Sequence, residues 1–193
     1  MAELTISVSV LASDFFSQKE KLKAYFADLE RRSFTWLLII QGTGVVSFEP
    51  FENTDCKIIW STDIGLSKSR NLAFNHCKTS FLICSDWDTR YGGGGLTGLL
   101  SKAKMLGSDV PFIRFGVLRS DKFEIVYRDI IGPKNLDILG AKRNKSALSL
   151  SSISSVQICW NVEFIRKFGL KFDEALGLGN RSVLPNFGEE YLL

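Results

Sequence analysis

Four short apolar runs in the first half of the chain constrain its fold most strongly: Thr5 to Leu11, Phe34 to Gln41, Cys56 to Ser61 and Phe81 to Ser85. Each has the length of a strand and carries β-branched or aromatic residues, and segments with helical spacing lie between them. Ser17 to Arg32 places Leu22, Tyr25, Phe26 and Leu29 on one face, with Lys and Glu on the other. Leu66 to Cys77 reads as a second helix, with Leu66, Leu72, Ala73 and Phe74 as its core residues. Strands alternating with helices predict an α/β fold with a mostly parallel sheet, whose ligands bind beyond the strands' carboxyl ends. Gln41, Asp63 and Asp86 all fall along that edge.

After Asp88 the pattern changes. Gly92 to Gly95 predict a flexible hinge before a short helix from Leu96 to Leu106. Val110 to Leu118 and Phe123 to Tyr127 alternate like two antiparallel strands joined by Arg119-Ser120-Asp121-Lys122. Lys142 to Ser155 is basic and serine-rich and is expected to form a mobile loop. Gln157 to Trp160 reads as a strand, and Val162 to Phe168 as a helix ended by Gly169. The chain stops at Glu189-Glu190-Tyr191-Leu192-Leu193, one turn into an expected helix.

With 193 residues and 45% hydrophobic content, the chain is expected to form a single domain with a substantial core. A net charge of +3 suits an anionic small ligand or a membrane surface and is too weak to argue nucleic acid. Lys142-Arg143-Asn144-Lys145 is basic, but no nucleic-acid-binding motif accompanies it. The 4 cysteines are widely spaced without a C-x-x-C pair, so buried free thiols in a reducing compartment are expected. Met1-Ala2-Glu3 lacks the basic start of a signal peptide. The longest wholly apolar run, Trp36 to Ile40, is far too short to span a bilayer. A cytoplasmic location follows as the expectation, with room for contact at the cytoplasmic face of a membrane.

Few residues could carry chemistry. Asp86 and Asp88, one residue apart at the end of a buried strand, can converge on a hard cation or simply cap a turn. Ser67-Lys68-Ser69-Arg70 opens a helix, where backbone N–H groups, hydroxyls and cations favour an anion. The plainer alternative is a solvated helix start with Ser as its N-cap. His76, the only histidine, lies inside a helix without a visible partner, so a surface or half-buried structural role is expected. Glu189 and Glu190 stand either for first-turn acids facing a helix dipole or for a general base.

In this order the motifs are similar to those of the family 2 glycosyltransferases of the GT-A fold, over essentially the whole chain. The likeness rests on the opening strand Thr5 to Ser13, on Gly65-Leu66-Ser67-Lys68-Ser69-Arg70-Asn71 and on Asp86-Trp87-Asp88 in the place of a D-x-D motif. It continues in Phe172-Asp173-Glu174-Ala175-Leu176-Gly177-Leu178-Gly179 and in Gly188-Glu189-Glu190. The resemblance implies one GT-A domain with a mixed central sheet, with residues 1–91 binding a nucleotide-sugar and 92–193 forming the acceptor side.

The implied activity is inverting, metal-dependent transfer of a hexosyl or related sugar from a nucleotide diphosphate sugar to an acceptor hydroxyl. Asp88 would ligate Mg²⁺ or Mn²⁺ bridging the diphosphate, and Asp86 would contact the ribose or the metal shell. Ser13, Gln41, Asp63, Gly65, Lys68, Arg70, Asn71 and Trp87 would line the donor site. Glu190 would be the catalytic base with Glu189 beside it, and Trp160, Asp173 and Glu174 would face the acceptor. The implied partners are a donor, with UDP-sugars favoured, and a saccharide or lipid-linked saccharide acceptor, with peripheral membrane contact admitted and nucleic acid not.

The chain departs from the family pattern in three places. Gln41-Gly42-Thr43-Gly44 stands where relatives carry an Asp-containing, base-reading turn, which leaves the base open. No His follows His76 to complete a metal site. Relatives continue through a helix after the base, so a truncated, non-catalytic donor-binding domain is the alternative expectation. A sugar nucleotidyltransferase is the remaining rival, and it needs a glycine-rich phosphate loop that Leu11-Ala12-Ser13-Asp14-Phe15 lacks.

Overall fold

A computed structural model describes residues 3–15, 17, 20–22, 34–44, 56–86, 89, 93–107, 109–117, 125–129 and 158–174. The four apolar runs become β1 (Leu4–Leu11), β2 (Thr35–Gln41), β3 (Cys56–Ser61) and β4 (Phe81–Ser85). They are joined by β5 (Phe112–Val117), β6 (Ile125–Asp129) and β7 (Ile158–Asn161) in a 7-stranded sheet of order β3-β2-β1-β4-β7-β5-β6. β1 to β4 run parallel, whereas β7 is antiparallel to both β4 and β5, and β6 is antiparallel to β5. The sheet is therefore mixed: parallel over β1 to β4, as the alternation of strands and helices predicts, and antiparallel beyond, as the resemblance implies.

β2 is buried almost throughout, because both faces of the parallel half are covered. Period-2 alternation sends Leu38 and Ile40 to one face, where Leu96, Leu99 and Ala103 of α2 (Gly93–Leu106) pack. Leu37 and Ile39 go to the other face, against Ala73 and Phe74 of α1 (Leu66–His76). Burying one such phenylalanine contributes about 1.5–3 kcal/mol. Residues 12–15 and 20–22 are helical, and the remainder of the expected helix from 17 to 32 lies largely outside the described residues.

α2 corrects the hinge expected at Gly92 to Gly95. Gly93, Gly94 and Gly95 are its first residues, since the buried stripe of Leu96, Leu99 and Ala103 outweighs the poor helix propensity of glycine. α3 (Val162–Lys167) is capped by Asn161, whose Oδ1 accepts from the Phe164 N–H at 3.1 Å, and Gly169 at φ 61° turns the chain away from it. The loop expected over Lys142 to Ser155 and the terminal helix lie outside the described residues.

The register prepares a site. β1 extends to Leu11, level with Gln41 of β2, which is in turn level with Ser61 of β3. β4 stops at Ser85, level with Val8. From β1 the chain proceeds to β2 and β3 on one side and then returns to β4 on the other. The notch between the carboxyl ends of β1 and β4 is thus a topological switch point, where open α/β sheets bind ligands.

Candidate active site at the carboxyl edge of the sheet

Gln41 closes β2 and is 5% exposed. Its Nε2 donates to the carbonyls of Asp63 at 3.1 Å and Gly65 at 2.9 Å, so the β3–α1 connection hangs from the end of β2. The Gly42 N–H, donating to the Ser61 carbonyl at 2.8 Å, fastens the same loop from the other side. Gly65 adopts φ 145°, a conformation that L side chains rarely adopt, and starts α1 without a side-chain cap.

Neither serine of the motif is the N-cap. Ser67 and Ser69 are buried, and Ser69 Oγ donates back to the Leu66 carbonyl at 2.8 Å. The first turn of α1 therefore offers backbone N–H groups with no acidic side chain in that turn. Lys68 stands beside it, its Nζ 3.6 Å from Asp63 Oδ1, with the carboxylate largely solvent-exposed. An anion is favoured at such a helix start.

Arg70 lies beneath this edge. It is 3% exposed, its guanidinium carbon is 5.2 Å from the centroid of the Phe172 ring, and it lines a cavity of ≈ 10 Å³ with Ser7, Ser9, Cys84 and Asp86. That space admits about one water molecule. Burial pushes the Cys84 thiol up to about 12; the Arg70 charge opposes this rise, and Cys77 and Asp86 add to it. Such a thiol is not a nucleophile at neutral pH. Asp86 is exposed at the notch, and its carbonyl accepts from the Thr89 N–H at 3.1 Å.

Asn71 faces inward. Its Oδ1 accepts from the Phe172 N–H at 2.9 Å, and its Nδ2 donates to the Phe172 carbonyl at 3.0 Å and to Glu174 Oε1 at 2.8 Å. This ties α1 to the Phe172–Glu174 segment expected on the acceptor side. Trp160 is 1% exposed and packs among Phe74, Phe112 and Phe172, so it supports the site from within the core and faces no solvent. Asp173 is half-buried and Glu174 exposed. Ser13 is exposed just beyond β1, its Oγ 3.3 Å from Asp14 Oδ1.

The edge thus brings together Gln41, Asp63, Gly65 and Lys68 in one group, Arg70 and Asp86 in a second, and Asn71 with Glu174 in a third. Trp87, Asp88, Glu189 and Glu190 lie outside the described residues. Ser7, Ser9 and Phe172 surround Arg70 beneath this edge. The two serines leave a signal in the sequence, a polar alternation within an apolar strand. His76 is half-buried, and its Nδ1 is 3.0 Å from Lys57 Nζ, far from any role here. Among the described residues, no group of three or more His, Cys, Asp and Glu side chains could hold a metal. Asp86 nevertheless supplies one hard oxygen donor, of the kind that Mg²⁺ or Mn²⁺ takes, at the notch.

No protein-family model matches the chain, and no curated protein sequence matches it. Solved structures do resemble it. S. aureus TarS residues 1–349 superposes with a TM-score of 0.57 at 15% identity, over 91% of this chain and 51% of that one. The same protein in complex with UDP gives 0.57 at 14%, over 93% and 52%. The mannosyltransferase PcManGT from Pyrobaculum calidifontis, in complex with GDP-Man and Mn²⁺, gives 0.54 at 13%, over 91% and 48%. The chain spans about half the length of these structures. At such identities the likeness is one of fold, and the fold is GT-A-like.

Proposed function

We propose that this chain is the catalytic domain of a glycosyltransferase that moves a sugar from a nucleoside diphosphate sugar to an acceptor hydroxyl with inversion at the anomeric carbon. The observation that carries this reading is the carboxyl edge itself: an uncapped helix start with Lys68 beside it, facing a notch from which Asp86 emerges. A diphosphate is the ligand that suits a helix start without a side-chain cap, an ammonium beside it and a carboxylate-held cation together. The neighbours of like fold were crystallised with UDP, UDP-GlcNAc and GDP-Man.

In this reading the α1 N–H groups and Lys68 hold the diphosphate, and Arg70 adds a buried positive field beneath it. Asp86 and Asp88 would hold a divalent cation, Mg²⁺ or Mn²⁺, which supplies charge neutralisation on the leaving diphosphate. Ser13, Gln41 and Asp63 border the nucleoside, a uridine by preference. Glu190, with Glu189 as its neighbour, takes the proton of the acceptor hydroxyl. The acceptor oxygen then bonds to the anomeric carbon as the bond from that carbon to the diphosphate oxygen breaks on the opposite face. Glu174, held by Asn71, borders the acceptor, a saccharide or lipid-linked saccharide of cell-surface glycan synthesis. Differential scanning fluorimetry with UDP, UDP-GlcNAc and GDP-Man, each with Mn²⁺ or with chelator, tests the reading. A metal-dependent rise in melting temperature is expected for at least one, and no rise with any of them would overturn it.

A further inference from the structure

The opposite end of the sheet has features that donor binding does not use. There the amino ends of β1 and β4 meet the carboxyl end of β7. An open groove of ≈ 540 Å³ runs along this end, with Lys78, Thr79, Ser80, Glu163, Arg166 and Lys167 as its charged and hydroxyl lining. Three cations thus face one carboxylate. Arg166 is fixed in place, its Nη2 donating to the carbonyls of Phe74 at 3.0 Å and Cys77 at 2.6 Å, so its charge stays at the groove. Lys78 and Lys167 are exposed.

Beside the groove lies an aromatic pair. The rings of Phe164 and Phe168 are 4.5 Å apart, Lys167 Nζ lies 5.5 Å from the Phe168 centroid, and Phe168 is 56% exposed. Met105, 78% exposed, closes α2 at the same end of the sheet, where the neighbouring Lys104 is ion-paired with Glu3 ahead of β1. Phe168 is thus presented to water beside the basic groove, while Met105 stands on the other face of the sheet with α2. The carboxyl edge has its own exposed apolar residues, Leu11, Trp60 and Ile64, with Lys68 as a cation on the same edge.

We propose that this end of the sheet docks on an anionic phospholipid surface, with Lys78, Arg166 and Lys167 facing headgroup phosphates and Phe168 entering the interfacial layer. Lysines gain from the negative surface potential of such a layer, and an aromatic ring gains from its apolar margin. The attachment is peripheral: among the described residues no helix is long and apolar enough to cross a membrane. β1, with 8 residues, then separates the lipid from the carboxyl edge. At about 3.3 Å per residue that is roughly 26 Å, so an acceptor has to present its hydroxyl that far from the bilayer.

Co-sedimentation with vesicles of phosphatidylglycerol and phosphatidylcholine, against vesicles of phosphatidylcholine alone, tests this without any sugar chemistry. Binding is expected only to the anionic vesicles. It should fall steeply between about 0.1 M and about 1 M salt, as the Debye length shrinks from ~10 to ~3 Å. Lys78→Ala and Lys167→Ala should each weaken it by about fivefold, and Phe168→Ala should weaken it at low salt as well. All three residues are exposed, so unchanged melting temperatures will show that the variants fold. Equal binding to both vesicle types, no binding at low salt, or variants that bind like wild type would each overturn the proposal. A concentration-dependent dimer that dissolves in Phe168→Ala would also overturn it, by giving this face to a second copy of the chain.

Discussion

Asn71 and Phe172 are joined by a two-way hydrogen bond: the asparagine Oδ1 accepts from the Phe172 N–H at 2.9 Å, and its Nδ2 donates to the Phe172 carbonyl at 3.0 Å. A side-chain amide here imitates one rung of a β-ladder, between residues 101 positions apart. Both residues are buried, so water cannot replace the bonds. Removal of the amide leaves a buried N–H and a buried C=O unpaired, each costing about 1–3 kcal/mol. Asn71→Ala should therefore destabilise the fold by about 2–6 kcal/mol in urea titration. A loss below about 1 kcal/mol would show that the Phe172 segment finds other partners.

Gly65 offers a backbone test at the other end of the same motif. Its φ of 145° favours glycine, although a Cβ there would meet only Lys68 side-chain atoms, 3.7 Å away at the nearest. The cost of Gly65→Ala is thus conformational and not a clash, about 1–3 kcal/mol. Because Gln41 holds this loop through the Gly65 carbonyl, the substitution should also blunt any donor-induced thermal shift. Full stability together with an unchanged shift would mean that the loop adapts freely.

How much of this could be read from the sequence depended on whether the cause was local. β3 and β4 match their expected spans because short runs of β-branched, aromatic and other apolar residues bounded by polar ones need no partner to be recognised, although Lys57 interrupts the run of β3. The start of α2 was missed because Gly93 to Gly95 signal flexibility locally, while Leu96 and Leu99 bury themselves against residues far away in the chain. Asn71 looked like a donor ligand, since nothing in its neighbours announces a partner beyond residue 170. Trp160 looked available to an acceptor because aromatic character is the same in a core as on a rim; only its ring contacts with Phe74 and Phe172 assign it to the core. The edge positions of Gln41, Asp63 and Asp86 were legible because parallel topology alone determines them.

The cysteines make a chemical prediction. Cys77, Cys84 and Cys159 are buried and Cys56 is partly exposed, all as free thiols. A thiol reagent at neutral pH should modify Cys56 rapidly and the others only on unfolding. The folded Cys84 thiol ionises near pH 12 against 9.0 ordinarily, chiefly because it is buried. Below pH 9.0 both folded and unfolded chains keep the proton and nothing is lost. Above it the unfolded chain releases its proton first, so stability falls as pH rises toward 12. Burial pushes the Cys159 thiol up as well, so Cys84→Ala should lessen that alkaline decline in urea midpoints without abolishing it, and an identical decline would assign it to other groups.

Donor recognition can be dissected on the two sides of the notch. Lys68 is the cation beside the open helix start, and a charge-assisted bond from it to a diphosphate contributes about 1.5–3 kcal/mol. Lys68→Ala should lower nucleotide-sugar affinity by about tenfold or more, with the metal requirement kept. Asp88→Asn should abolish the metal requirement together with most of the affinity. Isothermal titration with and without chelator separates the two effects. Equal nucleotide affinity for wild type in excess chelator would remove the metal from the mechanism.

The general base is the most demanding assignment, because it separates a transferase from a domain that only binds donor. An inverting transfer needs a carboxylate that receives the acceptor proton on the face away from the diphosphate, and removing a positioned base typically costs ~10²–10⁴ in rate. In the proposed mechanism donor binding rests on Lys68, the α1 N–H groups and the metal-holding aspartates, and the base has no part in it. Glu190→Gln should therefore abolish transfer while leaving donor affinity within about twofold of wild type, and Glu189→Gln should be milder. A reversed order of severity would move the role to Glu189. Wild-type protein that binds a donor with metal yet transfers to none of a panel of saccharide acceptors would overturn the catalytic reading and leave a nucleotide-sugar-binding domain.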